Sequence, residues 1–203
     1  NKNYRQKLMF GKTGHDRFTS EIKTGYEPQF MRNTLQLNRG FSTDSLPVFS
    51  DISFMAGVAA TDWSWAPLWA DWNNDGWKDL FITNGYPRDI TNRDFVDYKS
   101  NFARLSSREI FEKLKPLEGA HLANFMFQNK QDLTFEDVSK AWGFDLPGYS
   151  SGVAFSDLNN DGQLDLIVNN TYSNASIYKN NGHPDENNNF LQIKLTGNKG
   201  NLQ

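Results

Sequence analysis

Apolar and polar residues alternate in short runs along most of this chain, and clusters of Asn, Asp and Gly separate the runs. Ser151–Phe155, Leu164–Val168 and Ser176–Lys179 each read as a short strand, and Leu133–Val138 reads as another from the start of the same unit. Period-two alternation bounded by turn residues is the signature of strands packed on one face. One segment breaks the pattern. Ser106-Ser-Arg-Glu109 has the spacing of a capping box, and Ile110, Phe111 and Leu114 follow at helical intervals. One or two surface helices are therefore expected within about 86–123, closed by Pro116 and Gly119, either shielding a sheet edge or forming a ligand-binding lid.

The strand-like runs belong to a repeat. Phe49-Ser-Asp51-Ile-Ser53 returns as Phe135-Glu-Asp137-Val-Ser139, Gly57 returns as Gly143, and Asp71-Trp-Asn73-Asn-Asp75-Gly76 returns as Asp157-Leu-Asn159-Asn-Asp161-Gly162, all at an offset of 86 residues. A constant offset over three landmarks means stacked supersecondary units. The first copy carries about 35 extra residues between Asp79 and Phe127; removing them leaves a unit of four short strands, which is the arithmetic of a β-propeller blade.

Composition narrows the class. The 203 residues are 37% hydrophobic and 14% aromatic, enough for one core. A net charge of −3 with scattered basic residues lacks the footprint of a nucleic-acid binder. There is no cysteine, so neither disulfides nor thiolate metal sites stiffen the loops. No run approaches the length of a membrane span, and residues 1–20 contain no signal-peptide apolar region. Because the chain opens at Asn1 and stops in a strand-like run, it is expected to be part of a longer protein.

The Asp-rich loops supply what the cysteines do not. Asp71, Asn73, Asp75 and Asp79 stand at loop positions 1, 3, 5 and 9, and Asp157, Asn159, Asp161 and Asp165 repeat the spacing. Oxygen ligands at alternating positions, with Gly at position 6, suit Ca²⁺, and the backbone carbonyls of Trp77 and Gln163 at position 7 are the natural fifth ligands. Two structural Ca²⁺ sites are expected; Mg²⁺ fits less well because it keeps several waters. An EF-hand needs an acid at position 12, where this chain has Ile82 and Val168, and an exiting helix, where it has Leu80-Phe-Ile-Thr and Leu166-Ile-Val-Asn. The rival reading is a pair of solvated Asx turns, and two copies with identical ligand spacing weigh against it.

Catalysis finds little support. Gly148-Tyr-Ser150-Ser-Gly152 has a G-x-S-x-G pattern, but a turn precedes it and a strand follows, where a nucleophile elbow needs strand then helix. His15, His121 and His183 lie near no convincing acid partner in sequence. In the aromatic run, Trp69 aligns with Phe155 and is expected in the core. Trp65 and Trp77 align with Ser151 and Gln163 and are candidates for exposed rings that stack on a sugar.

Asp-x-Asn-x-Asp-Gly-x-x-Asp followed by an apolar strand, twice, resembles the FG-GAP/VCBS repeats of integrin-α-like propellers. The stretch Trp65–Tyr86 is similar to bacterial VCBS-repeat proteins that end in an ASPIC/UnbV domain, and Phe190–Asn198 resembles the entrance to that domain. The resemblance covers most of residues 33–200 and implies a mainly β fold. That fold is a partial propeller of four-stranded blades with Asp-rich calcium loops, blade material at about 33–85 and 124–182, a helical insertion at about 86–123, and 190–203 opening a further domain. Two to three blades are fewer than a closed propeller needs, so more sequence or a partner should cover the open faces, and blade edges favour self-association. The function implied is a non-enzymatic, exported or cell-surface binding, adhesion or scaffolding module for a protein or polysaccharide. The alternative is an accessory domain of a larger secreted enzyme acting on glycans, with catalysis elsewhere. Nucleic acid is not an expected partner.

Overall fold

A computed structural model describes residues 12–27, 32–88, 105–116 and 119–182, with positions 190, 191, 193 and 197. The protein is mainly β. Its elements in order are α1 (Lys12–Lys23), β1 (Gln36–Phe41), β2 (Pro47–Asp51), β3 (Ser64–Ala70), β4 (Asp79–Asn84), α2 (Ser107–Leu114), β5 (Leu122–Ala123), β6 (Phe125–Asn129), β7 (Phe135–Asp137), β8 (Pro147–Gly148), β9 (Ser150–Ser156), β10 (Asp165–Asn170) and β11 (Ser176–Tyr178). The described strands form antiparallel sheets, none closed on itself: a hairpin β1-β2, a four-stranded sheet β3-β4-β6-β7, a three-stranded sheet β9-β10-β11, and a short pair β5-β8.

The four-stranded sheet is a septum between two cores. Its register sets Leu80 opposite Phe127, Phe81 opposite Met126 and Ile82 opposite Phe125. Side chains alternate across a strand, so the pairs face opposite ways in turn. Leu80, Ile82 and Phe127 pack with Ala56 and Val58 beside the β1-β2 hairpin, and Leu35, Ile52, Trp69, Phe125 and Phe135 close around them. Phe81 and Met126 pack the other way, with Leu166 and Val168 of the three-stranded sheet and with Phe144. Every residue of β4 is buried for this reason, and its centre, Leu80-Phe-Ile82, is apolar without alternation because neither face meets water. Each fully buried large side chain here contributes about 1.5–3 kcal/mol.

The strands read from sequence lie within two residues of β7, β9, β10 and β11, with one reassignment. Leu133–Val138 was expected with the three strands that follow it, yet β7 pairs with β6 and completes the preceding sheet. The sequence repeat is thus staggered against the structural one: each repeat opens with the last strand of one sheet and continues with the first strands of the next. The corner between them is built alike in both copies. Ser53 N–H donates to Asp51 Oδ1 at 3.0 Å, and Ser139 N–H donates to Asp137 Oδ1 at 3.2 Å, so each Asp-x-Ser turns the chain with an Asx bond.

The insertion leaves and rejoins the sheet at a pinched neck. Tyr86 and Ala120 exchange backbone hydrogen bonds at 3.0 and 2.7 Å. Gly85, at φ +103°, runs so close to the Gly148 carbonyl that a Cβ would lie 2.2 Å from its oxygen, which only glycine accommodates. Within the insertion, α2 carries the capping box expected of it: Ser106 N–H donates to Glu109 Oε2 at 2.8 Å and Glu109 N–H to Ser106 Oγ at 3.4 Å. The helix buries no residue. Positions 89–104 of the insertion, and most of the 190–203 segment, lie outside the described residues.

Candidate metal centre

Both Asp-rich segments are hairpin connections at corresponding places. Ala70 pairs with Asp79 to close the β3-β4 loop, and Ser156 pairs with Asp165 to close the β9-β10 loop. Positions 4 and 6 of each loop turn left-handed, Asn74 at φ 56° and Gly76 at 90°, Asn160 at 59° and Gly162 at 85°. Asn and Gly are the residues that enter this region at least cost.

The two loops match bond for bond. Asp71 Oδ1 accepts from Asp75 N–H at 3.0 Å and its Oδ2 from Gly76 N–H at 2.8 Å; Asp157 accepts from Asp161 and Gly162 at 3.1 and 2.9 Å. Asp75 Oδ1 takes the Trp77 N–H at 2.8 Å, and Asp161 Oδ1 takes the Gln163 N–H at 3.0 Å. Asn73 and Asn159 donate Nδ2 to Asp75 and Asp161 at 3.0 and 2.7 Å. Loop amides therefore orient the acids at positions 1 and 5, and each carboxylate oxygen so engaged keeps a second lone pair.

The ninth-position acids do more than line the loops. Asp79 is fully buried, with Oδ1 accepting Asn129 N–H at 2.9 Å and Oδ2 accepting Trp72 N–H at 3.2 Å. Asp165, 2% exposed, accepts Asn180 N–H at 2.8 Å and Leu158 N–H at 3.0 Å in the same manner. Each carboxylate thus ties its loop to the residue just after or at the end of the sheet's third strand. Asn129 and Asn180 are equivalent again in turning the chain onward, their Oδ1 atoms accepting from Gln131 and Gly182 at 2.8 and 2.9 Å. These two asparagines were not singled out in the sequence; once the insertion is removed, they fall into register.

The electrostatics follow from placement. Burial pushes the Asp79 carboxyl up to about 6; the amides of Asn129 and Trp72 pull against it, and the charges of Asp75 and Asp71 add to the rise. Asp161 is held below the usual carboxylate range, chiefly by the Gln163 N–H and then by Asn159. Among the described residues no three His, Cys, Asp or Glu side chains are already gathered as a ligand set. The donor chemistry nonetheless suits a hard cation: Asp75 and Asp71 stand close enough to raise Asp79, the side-chain oxygens at positions 1, 3, 5 and 9 come from Asp and Asn, and Gln163 adds a buried Oε1 with no hydrogen-bond partner.

The other candidates separate cleanly. Trp65 and Trp77 are each 47% exposed, but Trp65 stands near the start of β3, beside the neck, and Trp77 sits in the loop beyond its far end. A single sugar ring cannot touch both. Trp65 Nε1 donates to the Gly85 carbonyl at 2.6 Å, and Tyr86 stacks on both Trp63 and Trp65, at 4.7 and 5.8 Å between centroids. Trp69 is half-buried and meets Phe135 edge-on, while its counterpart Phe155 is 43% exposed and meets Trp72 edge-on. Ser150 is 2% exposed inside β9 and donates Oγ to Asn170 Oδ1 at 2.9 Å, an arrangement of a strand residue rather than a nucleophile.

Residues 119–168, from the neck through β6, β7 and β9 into β10, match the profile of the FG-GAP-like repeat, and the matched segment contains the whole second loop. Over 48 residues the chain is 44% identical to cartilage acidic protein 1 of Xenopus tropicalis, a stretch that is 23% of this chain and 7% of that protein. The chain thus covers a small part of the relative's length. No described helix is long and apolar enough to cross a membrane.

Proposed function

We propose that this chain is part of an extracellular β-propeller, stabilised by calcium, that works as a binding or adhesion module for a protein or polysaccharide and performs no catalysis. The observation that carries the reading is the recurrence of one loop, bond for bond, at the same end of two successive sheets. FG-GAP-like repeats typify extracellular, non-catalytic binding modules, and the match over 119–168 supports that class. On this reading β3-β4-β6-β7 is one whole blade, β1-β2 the outer half of the blade before it, and β9-β10-β11 three strands of the next. Further blades, or another copy, would cover the open faces, and the ASPIC/UnbV-like segment would follow from Phe190.

Asp71, Asn73, Asp75, Asp79 and the Trp77 carbonyl would hold one Ca²⁺, and Asp157, Asn159, Asp161, Asp165 and the Gln163 carbonyl the other. When bound, the ion supplies positive charge to carboxylates that otherwise repel. The chain's own contribution is to orient those carboxylates with loop amides beforehand and to tie the loop base to the sheet through Asp79 and Asp165.

Thermal unfolding in EDTA, then in millimolar Ca²⁺ or Mg²⁺, tests the proposal. Calcium is expected to raise the midpoint selectively, by an amount corresponding to about 2.7 kcal/mol per site at a hundredfold excess over Kd. Asp75→Ala and Asp161→Ala should each remove roughly half of that gain. An unchanged midpoint in calcium would overturn the reading.

A further inference from the structure

The two Asp-rich loops are joined to each other. Asn74, at the left-handed corner of the first loop, donates Nδ2 to the Gly162 carbonyl of the second at 3.1 Å. Asn180 spans the same gap from the other side: its N–H donates to Asp165 Oδ1 and its Nδ2 to the Trp72 carbonyl, both at 2.8 Å. Trp72 N–H in turn donates to Asp79 Oδ2 at 3.2 Å. The last acid of one loop is therefore connected to the last acid of the other through only Trp72 and Asn180, and a second bond links the loop corners.

Strand pairing does not impose these links. Asn129, the counterpart of Asn180, turns its Nδ2 back to the Lys78 carbonyl of its own sheet's loop at 3.0 Å, whereas Asn180 reaches across to the neighbouring sheet. The otherwise matching loops also differ in exposure: Asn73 is 8% exposed, and its counterpart Asn159 is exposed. A ligand that fixes one loop also fixes Trp72, Asn74, Gly162 and Asn180, the groups through which the other loop is held. The second binding event then has less left to order, and its affinity rises.

We infer that the two loops take up calcium with positive coupling, transmitted by Asn74 and Asn180. The inference rests on the calcium reading above. Its test is isothermal titration of the chelator-treated chain with Ca²⁺. Asp161→Ala and Asp75→Ala give the single-site constants of the first and second loop. The product of the two wild-type constants is expected to exceed the product of these single-site constants by about fivefold, the lower end of ordinary coupling. In an Asn74→Gly, Asn180→Ala background the ratio should fall to one while two ions still bind. Glycine is chosen at position 74 because it keeps the left-handed backbone, and the background variant's unfolding in EDTA should remain a single cooperative transition. A ratio of one in the wild type would overturn the coupling and leave the calcium sites standing. An absence of calcium uptake by any variant would overturn both.

Discussion

Asp79 Oδ1 accepts the Asn129 backbone N–H at 2.9 Å across 50 residues of sequence, so a carboxylate that the repeat presents as a loop ligand also closes the sheet behind it. Its other oxygen holds Trp72 N–H. Removing the carboxylate strands both amides in a buried setting, and Asp79→Ala is expected to cost about 3 kcal/mol in EDTA. Asp71→Ala, whose amide partners lie nearer water, should cost about 1 kcal/mol under the same conditions. Urea unfolding of the two variants distinguishes them; equal losses would mean that Asp79 serves only as a ligand.

Gly76 and Gly162 offer a matched comparison. Both sit at left-handed φ, 90° and 85°, so Ala at either is strained by roughly 1–2 kcal/mol. A Cβ on Gly76 meets open space, but one on Gly162 would lie 2.0 Å from the Phe190 ring. Gly162→Ala should therefore be the more damaging by about a further 1–2 kcal/mol, and Phe190→Ala should recover that excess. If the two glycine variants unfold at the same denaturant concentration, Phe190 does not rest on the second loop in solution.

The repeat and most of its strands were readable because turn residues and alternation are local signals. The Asp spacing was readable for the same reason, since a nine-residue loop carries its own pattern. What stayed hidden was pairing at a distance. Nothing near Leu133–Val138 says that this strand belongs to the sheet behind it, because that choice is made by Met126, Phe127 and their partners on β4. Asn129 and Asn180 were concealed by the insertion that offsets them, and Asn74 by a contact in another sheet. Trp65 and Trp77 looked alike as exposed rings; their separation to opposite ends of β3 follows only from the hairpin register.

Acid should weaken the corner before β3. Asp51 is pulled down to about 2 by the Ser53 N–H and hydroxyl, with Arg32 and the Leu35 N–H adding to the effect. A carboxyl whose folded pKa lies below its unfolded value contributes stability that is present above the unfolded value and lost as pH falls through the folded one. The midpoint should therefore fall between about pH 4 and pH 2. Asp51→Asn should flatten that limb of the profile, and an unaltered profile in the variant would show that Asp51 is not its source.

Trp65 is the better placed of the two exposed tryptophans to meet a polysaccharide. Its indole is anchored through Nε1 to Gly85 and backed by Tyr86, which Trp63 supports on the other side. A ring fixed in this way loses little conformational freedom when a sugar stacks on its open face, whereas Trp77 extends from a loop whose described bond there is the backbone N–H to Asp75. In native gels cast with xylan, β-glucan or pectin, retardation of the wild-type chain in calcium should drop severalfold in Trp65→Ala and persist in Trp77→Ala. Equal retardation of both variants and the wild type would remove Trp65 from consideration. Loss in Trp77→Ala alone would instead move the binding surface to the calcium-loop end of the sheets.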